Sequence, residues 1–407
     1  MLIETDQVVV TGLGATTPLG GDAASTWSAM LAGQSGISAI EEEWAAGLPV
    51  RIAGRLKVEP TEVLDRVQAR RMDRCEQIAL VAAREAWEHA GRPEVDPDRL
   101  AVVIGTGTGG ALTLLGQDDV LEASGVRRVS PHTVPMLMAN GPAAWVSIDL
   151  GARGGAHTPV SACASGAEAI AMGLDLIRLG RADVVVAGGT EACICPLPIA
   201  GFAQAKAHST RNDAPGLASR PFDADRDGFV IGEGATVIVL ERAGHAAARA
   251  ARAHATLAGA GVTSDAHHIT AAHPDGQVRA MRMAMAAAGL SPREIGHVHA
   301  HATSTPLGDL VEARSITEAV GTHPAVTATK SMTGHLFGAA GAIGALAAIC
   351  AVRDGVVPAT QNVDTLDPEV KLDVVTGAPR EGALTAALAN SFGFGGHNAS
   401  LVFTPAP

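Results

Sequence analysis

The amino-acid sequence predicts an α/β protein with buried sheets, and three observations lead to this prediction. Short apolar runs such as VVVTGLG at 8–14 are continuous rather than alternating, which is typical of strands covered on both faces. Helix-like stretches separate these runs, as expected when strands alternate with helices. Hydrophobic residues make up 47% of the 407 residues, and the mean hydropathy is +0.21, which is enough apolar material for a large core.

The predicted elements follow one another in two sets. The first set has strands at 8–14, 100–110, 183–189 and 235–241, and helices at 76–91 and 165–180. A basic, alanine-rich helix at 242–255 leads into the second set, which has strands at 256–262, 296–300, 326–329, 386–390 and 399–403, and helices at 277–290 and 338–353. The similar order predicts a duplication. We expect an N-terminal half at 1–250 and a C-terminal half at 251–407 that pack closely, because no low-complexity linker separates them.

Composition and charge exclude several classes of protein. The formal net charge is −12, whereas a nucleic-acid-binding protein usually carries a basic stripe. No apolar run reaches about 18 residues without a polar break, which argues against a membrane span, and the acidic start MLIETDQVVVTGLG is unlike a signal peptide. Five irregularly spaced cysteines form neither a disulfide framework nor a zinc motif. We therefore expect a cytoplasmic protein without a bound metal.

The segment 158–180 predicts a nucleophile. A short β-rich run ends at Cys163, small residues follow, and an amphipathic helix continues to 180. Such a turn points the side chain from a helix N-terminus, where the helix dipole and free N–H groups are expected to lower the pKa of the thiol. It is the cysteine analogue of the G-x-S-x-G elbow. From this segment alone, a buried and inert cysteine stays as the alternative.

A second candidate site follows the predicted strand at 296–300. His297, His299 and His301 recur at every second position, so their side chains share one face of the strand. The A-T-S-T-P turn after His301 indicates that the chain leaves the sheet into a site, which favours one catalytic imidazole. Metal binding and simple packing stay as alternatives, although no carboxylate or cysteine completes a ligand set.

Three glycine-containing turns carry further candidates. Lys330 and His335 lie in a turn of TATKSMTGHLFGAAGAIGA, although a lysine at a strand end is usually solvated and a lone histidine is usually structural. The loop NSFGFGGHNASLVF at 390–403 has the mobility and the free N–H groups of a gating loop. GTGTGG at 105–110 matches a dinucleotide fingerprint, but no acidic strand end follows about 20 residues on, so a simple glycine turn is favoured.

Together, the cysteine turn and the two histidine turns resemble the β-ketoacyl-acyl carrier protein synthases of the thiolase-like superfamily. The resemblance covers nearly the whole chain, from VVVTGLGATTPLG to SFGFGGHN, and includes STRNDAPGLASRPFDADRDGFVIGEGA at 209–235. It is strongest toward the elongating synthase II type, including actinobacterial relatives. It implies an α/β thiolase-like fold in which two duplicated halves form a five-layered α-β-α-β-α sandwich.

The resemblance also implies an acyltransferase with a ping-pong mechanism. Cys163 matches the family's nucleophile, which takes the acyl chain from acyl carrier protein, while the backbone N–H groups of Cys163 and Phe394 hold the oxyanion. His301 and His335 match the two histidines that stabilise the enolate formed when malonyl carrier protein loses CO₂. Neutral imidazoles suit this role. The overall reaction is a decarboxylative Claisen condensation in fatty acid elongation.

Other residues match supporting positions of the family. Lys330 matches the family's active-site lysine, with Glu312 as its expected partner and Asp309 nearby. Thr303 and Thr305 match residues that bind phosphopantetheine, and Phe392 and Phe394 match the gating residues. Thr108 and Phe202 match residues that contact the acyl chain, and Lys206 matches a residue that contacts the carrier protein. No cofactor is implied, because the phosphopantetheine arrives on the carrier. The resemblance implies a homodimer, with a heterodimer with a chain-length factor as the alternative.

Four positions depart from the family pattern. His299 stands where relatives commonly have Asn, and Gly344 stands where they carry a glutamate, so we expect a buried acid–water network to be absent. Thr108 replaces a large apolar residue near the floor of the acyl pocket, and Lys206 replaces an arginine of the carrier-binding patch. We expect these departures to affect chain-length choice and rate while leaving the Cys-His-His set intact.

Two alternative functions stay open at this stage. One is a dedicated ketosynthase of a specialised polyketide or polyene pathway, which would use the same chemistry. The other is a non-catalytic chain-length factor, but such subunits lack the nucleophile, and Cys163 counts strongly against it. A hydrolase is disfavoured because no residue is an obvious base for activating water.

Overall fold

A computed structural model describes residues 7–407, so the first six residues of the acidic start and of the N-terminal half lie outside it. The strands are β1 Val8–Thr16, β2 Ile37–Ala39, β3 Ile52–Gly54, β4 Leu100–Gly105, β5 Ala156–His157, β6 Val184–Glu191, β7 Gly234–Arg242, β8 Ala255–Ser264, β9 Ile295–His299, β10 Ala325–Thr327, β11 Val356–Val357, β12 Asp373–Val374, β13 Arg380–Glu381, β14 Ala386–Gly393 and β15 His397–Thr404. The helices are α1 Ala23–Leu31, α2 Arg66–Ala69, α3 Arg74–His89, α4 Ala111–Ser124, α5 Thr133–Leu137, α6 Gly141–Leu150, α7 Ser165–Arg178, α8 Pro196–Gln204, α9 Ala243–Ala248, α10 Pro274–Ala288, α11 Pro306–Ala319, α12 Lys330–Thr333 and α13 Ala340–Asp354.

The two halves of the chain repeat one sheet topology. The first half has the strand order β5-β4-β6-β7-β1, and the second half has the equivalent order β10-β9-β14-β15-β8, with β12 added at its edge. In both sheets the first three strands are parallel to one another, and the fourth strand pairs antiparallel with the third and with the fifth. The sheets join where Val9 and Val10 of β1 pair with β8. The expected duplication is therefore present, while the division at residue 250 stays a prediction.

The helices complete five layers. Helices α7 and α13 pack against each other between the sheets, α7 on β4 and β6, and α13 on β9 and β14. Helices α3 and α6 cover the outer face of the first sheet, and α10 and α11 lie on the outer side of the second. This arrangement is the predicted α-β-α-β-α sandwich. The continuous apolar runs arise because the central strands are covered on both faces.

The sequence of α13 reflects its position in the central layer. A Cβ atom on Gly341 would lie 2.5 Å from the backbone nitrogen of Ala167, so only glycine allows α7 and α13 to approach this closely. The segment Phe337–Asp354 is apolar and long enough to cross a membrane, but 89% of it is buried inside the protein. Its composition is accounted for by this position in the core.

One predicted helix is much shorter than expected. The basic stretch at 242–255 forms α9 only over Ala243–Ala248. Ala250 takes a left-handed conformation with φ of 54°, which ends the helical path, and the backbone N–H of His254 then donates to the carbonyl of Val10 at 2.8 Å. The chain needs these residues to place β8 beside β1, so tertiary pairing overrides the helix propensity of alanine and arginine.

Candidate active site

Cys163 lies in a tight turn directly before α7. The preceding strand is shorter than predicted, because β5 ends at His157 and an irregular segment follows it. Ala162 is held at a φ of 51°, an uncommon conformation for a residue with a side chain. The Ser165 hydroxyl stabilises this turn by donating to the carbonyl of Ala162 at 2.7 Å, and the Ser391 hydroxyl donates to the carbonyl of Cys163 at 2.7 Å. The turn therefore fixes the thiol at the junction of the two halves.

The thiol of Cys163 is paired with an imidazole. His335 Nε2 lies 2.9 Å from Cys163 Sγ. The prediction of a lowered thiol pKa is wrong: burial raises the pKa of Cys163 to about 12, and it outweighs the opposing effects of the Lys330 charge and of the backbone N–H groups of Phe394 and Cys163. The resting site therefore holds a neutral thiol in contact with a neutral imidazole.

The two candidate histidines face each other. The rings of His301 and His335 have centroids 5.4 Å apart and lie nearly perpendicular, at 84°. Burial lowers the pKa of both imidazoles well below the usual value, and the nearby charge of Lys330 lowers it further. Both rings are therefore neutral at physiological pH, as enolate stabilisation by hydrogen-bond donation requires.

Lys330 and Glu312 hold the backbone of His301 from two sides. The Glu312 carboxylate accepts hydrogen bonds from the backbone N–H of His301 at 2.7 Å and of Ala302 at 2.6 Å. The Lys330 ammonium donates to the carbonyl of His301. Burial lowers the pKa of Lys330, whereas the charge of Glu312 opposes this shift. The two side chains thus meet through the His301 peptide, and they fix the position of its imidazole.

The turn after His301 is built on a second buried acid. Asp309 accepts hydrogen bonds from the backbone N–H groups of Ser304 at 3.1 Å and Phe222 at 2.9 Å, and burial raises its pKa to about 6. The hydroxyl groups of Thr303 and Thr305 lie 3.1 Å apart on the same turn. Asp309 therefore supports the turn from behind, and the two threonines face the cavity.

One cavity of about 470 Å³ collects most of the predicted site residues. Its lining includes Cys163, His301, His335, Glu312, Thr303, Thr305, Thr108, Phe202, Lys206, Phe392 and Phe394. Lys330 and Asp309 lie behind its wall and are buried. Among residues 7–407, no group of three or more His, Cys, Asp or Glu side chains is arranged to hold a metal ion.

Comparison with known proteins decides the family. Residues 5–246 match the N-terminal domain of β-ketoacyl synthases, and residues 254–364 match their C-terminal domain. The chain belongs to the β-ketoacyl synthase family. It is a condensing enzyme of the acyltransferase class with the thiolase-like fold.

Relatives of this synthase match over nearly the full length. The 3-oxoacyl-[acyl-carrier-protein] synthase 2 of Mycobacterium tuberculosis (strain ATCC 25618 / H37Rv) is 48% identical over 402 residues, which are 97% of this chain and 96% of the relative. The protein of the same name from Synechocystis is 44% identical, with 98% of each chain covered. Among solved structures, the ishigamide ketosynthase/chain length factor superposes with a TM-score of 0.92 at 32% identity, covering 98% of this chain and 99% of that one. A β-ketoacyl synthase from Burkholderia phymatum STM815 has the same TM-score at 33% identity, with coverage of 98% and 100%.

The aromatic residues of the synthase occupy different positions than the gating-loop prediction implied. Phe392 belongs to strand β14 and is buried, so it is not part of a mobile loop. The loop itself is the short tip of the β14–β15 hairpin, where Phe394 is 45% exposed. Phe202 stacks on Phe337 with ring centroids 5.3 Å apart. Phe394 is therefore the more exposed of the two candidate gating residues.

Sequence reasoning missed Glu191, at the end of β6. Its fully buried carboxylate accepts hydrogen bonds from the backbone N–H of Gly107 at 2.8 Å and of Gly338 at 3.0 Å, and from the hydroxyl of Thr108 at 2.6 Å. It thus joins the GTGTGG turn to the segment that follows His335, and the dinucleotide interpretation of that turn fails because its N–H groups bind this carboxylate. An acidic residue ending a continuous apolar strand, DVVVAGGTE, was the available signal.

Two of the departures from the family pattern form a single feature. A Cβ atom on Gly344 would lie only 2.9 Å from His299 Nδ1, so the imidazole occupies the space that a side chain at position 344 would need. His299 is buried, and its Nε2 lies 2.9 Å from the hydroxyl oxygen of Thr329. The larger residue at 299 and the smaller one at 344 are therefore complementary in volume.

Proposed function

We propose that this synthase is a 3-oxoacyl-[acyl-carrier-protein] synthase that extends acyl chains by decarboxylative Claisen condensation in fatty acid elongation. The observation that carries the proposal is the contact of 2.9 Å between Cys163 Sγ and His335 Nε2 at a cavity that His301 also lines. The relatives that are 44–48% identical bear the same activity in their names. No metal or redox group is needed for this chemistry.

The first half-reaction transfers an acyl group to the thiol. As the sulfur of Cys163 adds to the thioester carbonyl, His335 Nε2 accepts the thiol proton. The backbone N–H groups of Cys163 and Phe394 approach this sulfur, where they are placed to hold the oxyanion. The carrier thiolate leaves and takes up the proton, so the acyl-cysteine forms and the charge of the site is unchanged.

The second half-reaction forms the carbon–carbon bond. The bond between the malonyl carboxylate and the adjacent carbon breaks, and CO₂ leaves. The electron pair of that bond stays on the thioester fragment, which becomes an enolate. His301 and His335 donate hydrogen bonds to the enolate oxygen, and for this step His335 takes the tautomer that carries its proton on Nε2, so the two half-reactions use different tautomers of its neutral ring. The enolate carbon attacks the acyl carbonyl, the sulfur of Cys163 leaves as thiolate, and a proton from solvent restores the thiol.

We propose acyl carrier protein as the partner that brings both substrates. One similar solved structure is a type II polyketide ketosynthase in complex with its acyl carrier protein, with a TM-score of 0.90 at 30% identity. Thr303 and Thr305 line the cavity where a phosphopantetheine arm would enter, and Lys206 is exposed at the same cavity, where it can meet an acidic carrier. The synthase would need no cofactor of its own, because the arm arrives on the carrier. We expect it in the cytoplasm.

We propose a homodimer through the exposed face of α4, α5 and the segment between them, together with the free edge of the first sheet at β5. The exposed apolar residues on this face are Leu114, Leu121, Val126, Val134 and Met138, and Val126 is 76% exposed. Strand β5 ends the sheet and is paired on one side only, by β4. An exposed apolar face and an open strand edge are each suited to a large obligate interface. Pairing with a chain-length factor is the alternative arrangement.

The specialised polyketide pathway is supported less well than fatty acid elongation. The type II polyketide ketosynthase among the similar structures is 30% identical and the ishigamide ketosynthase/chain length factor 32%, whereas the relatives named 3-oxoacyl-[acyl-carrier-protein] synthase 2 reach 44–48%. The non-catalytic chain-length factor is disfavoured because the cysteine, both histidines and the lysine are all present and close together.

Intact-mass spectrometry tests the proposal directly. The protein is incubated with acyl carrier proteins that carry chains of varied length, and malonyl carrier protein is then added. We expect acylation of the protein, followed by its loss as a 3-oxoacyl carrier protein two carbons longer appears. Acylation without any elongated product would contradict the proposal, and elongation of polyketide substrates alone would favour the specialised pathway.

A further inference from the structure

A buried imidazole that the mechanism above does not use lies directly behind the site. His299 ends strand β9 and is 1% exposed. Its Nε2 lies 2.9 Å from the hydroxyl oxygen of Thr329, whereas its Nδ1 is buried without a hydrogen-bond partner. His297 on the same strand also has a buried ring nitrogen without a partner, so what distinguishes His299 is the contact that it makes.

Gly344 provides the space for this ring. Because a Cβ atom at 344 would lie 2.9 Å from Nδ1 and 3.2 Å from Cε1 of His299, even alanine would displace the imidazole. Gly344 lies in the middle of α13, where glycine is unfavourable for the helix. Glycine at position 344 therefore lowers the stability of α13 at the position that provides the space for the His299 ring.

The contact between His299 and Thr329 connects His299 to Lys330 and His301. Thr329 directly precedes Lys330, which begins α12, so a bond to the Thr329 hydroxyl fixes the start of that helix on the end of β9. The ammonium of Lys330 in turn donates to the carbonyl of His301. Because His299 and His301 are two residues apart on the same chain segment, the contacts from His299 through Thr329 and Lys330 lead back to the backbone of His301.

We propose that His299, seated on Gly344, is a positioning residue that fixes Lys330 and the imidazole of His301 through its bond to Thr329. The inference rests on the proposed function, since it assigns a residue to the decarboxylation step of that reaction. Burial and the charge of Lys330 keep the pKa of His299 well below the usual value, so the ring acts as a neutral hydrogen-bonding group.

Two substitutions at His299 separate positioning from packing. His299→Gln keeps a polar nitrogen near the position of Nε2, whereas His299→Leu fills the space without a hydrogen bond. Misplacement of a catalytic group by about 1 Å costs up to about 100-fold in rate, so we expect His299→Leu to decarboxylate malonyl carrier protein about 10- to 100-fold more slowly, with an unchanged KM. His299→Gln should remain close to wild type, and both variants should still acylate Cys163 normally.

His297 provides the matched control. It is the same residue type on the same strand, it is fully buried, and its Nδ1 lies 2.9 Å from the carbonyl oxygen of Ala325. His297→Leu should lower thermal stability to a similar extent without slowing decarboxylation. If His297→Leu and His299→Leu slow decarboxylation equally, the effect is one of core packing and the proposal is overturned.

A double-mutant cycle tests the contact between Gly344 and His299. Gly344→Ala should raise helix propensity and yet slow decarboxylation, because it displaces the ring. In a His299→Ala background the same change should cost nothing further, since no ring is left to displace. Additive losses, or a fully active Gly344→Ala enzyme, would overturn the proposal. A wild-type protein that fails to condense at all would instead reject the proposed function, so the two failures are distinguishable.

Discussion

The Nε2 atom of His335 lies 2.9 Å from the sulfur of Cys163, although one residue belongs to each half of the duplicated fold. The contact crosses the central layer, where the turn before α7 meets the turn before α13. Neither half therefore contains a complete site. Close packing of α7 and α13, which their glycine and alanine residues permit, sets the distance between the Cys163 thiol and the His335 imidazole.

The first prediction concerns the nucleophile. Cys163→Ala should abolish acyl-enzyme formation, because the cavity offers this thiol next to a proton acceptor. Intact-mass and peptide-mass analysis after incubation with acyl carrier protein measure it. Acylation of Cys75, Cys193, Cys195 or Cys350 in place of Cys163 would show that the assignment is wrong.

The second prediction separates the half-reactions. His301→Ala should still be acylated, since His335 accepts the thiol proton and the oxyanion site is backbone. It should fail to release CO₂ from malonyl carrier protein, and loss of a group that acts in general acid–base catalysis typically costs about 100- to 10,000-fold in rate. Release of labelled CO₂ provides the measurement. Decarboxylation at the wild-type rate would remove His301 from the enolate site.

The third prediction concerns stability toward acid. Burial lowers the pKa of His254 to about 4, and the adjacent His89, with ring centroids 4.5 Å away, adds to this shift. Between about pH 6.5 and 4 the unfolded chain binds a proton at His254 and the folded protein does not, so the contribution of His254 to stability rises with pH in this window and is constant above it. The effect amounts to at most about 3 kcal/mol.

In His254→Phe, unfolding between about pH 4 and 6.5 should take up one proton fewer, so the free energy of unfolding should depend less steeply on pH. Urea unfolding at a series of pH values measures the slope, and His267, which is exposed, provides the control substitution His267→Phe. An unchanged slope in His254→Phe would mean that His254 is already charged in the folded protein.

The fourth prediction concerns assembly. Light scattering at micromolar concentration should give twice the chain mass of 41.1 kDa. Val126→Asp should weaken the dimer, because it places a charge at the most exposed of the apolar residues on the proposed face. A monomeric wild-type protein would contradict the proposed interface, as would a Val126→Asp variant that dimerises as tightly as wild type.

The elements with strong sequence signals were predictable, and the local electrostatics were not. Continuous apolar runs predict strands such as β6, and helical periodicity predicts helices such as α3. The pKa of Cys163 could not be read in the same way, because it depends on how much water the other half of the chain removes. The burial of Lys330 has the same origin: the sequence shows a lysine at a strand end, and only the packed structure shows that the carbonyl of His301 and the charge of Glu312 compensate it.

Glu191 and the pair of His299 and Gly344 illustrate a further limit. Their partners are distant in sequence, so no local pattern connects them. Glu191 is 83 residues from Thr108, and Gly344 reaches His299 only because α13 packs on β9. Such complementarity in volume and hydrogen bonding appears only once the sheets and helices are assembled.

The last prediction concerns the length of the acyl chain. Thr108 lies in the turn after β4 and lines the cavity, while its hydroxyl donates to the Glu191 carboxylate at 2.6 Å. This bond fixes the side chain and leaves the space that a larger apolar residue would fill. Thr108→Phe should therefore shift the products toward shorter chains, by a graded effect of about 1–3 kcal/mol in discrimination. Thr108→Val, which keeps the volume and removes the bond to Glu191, is the matched control and should leave the product profile longer than that of Thr108→Phe. If the folded and acylated Thr108→Phe enzyme makes the wild-type range of products, Thr108 is a turn residue without influence on the acyl pocket.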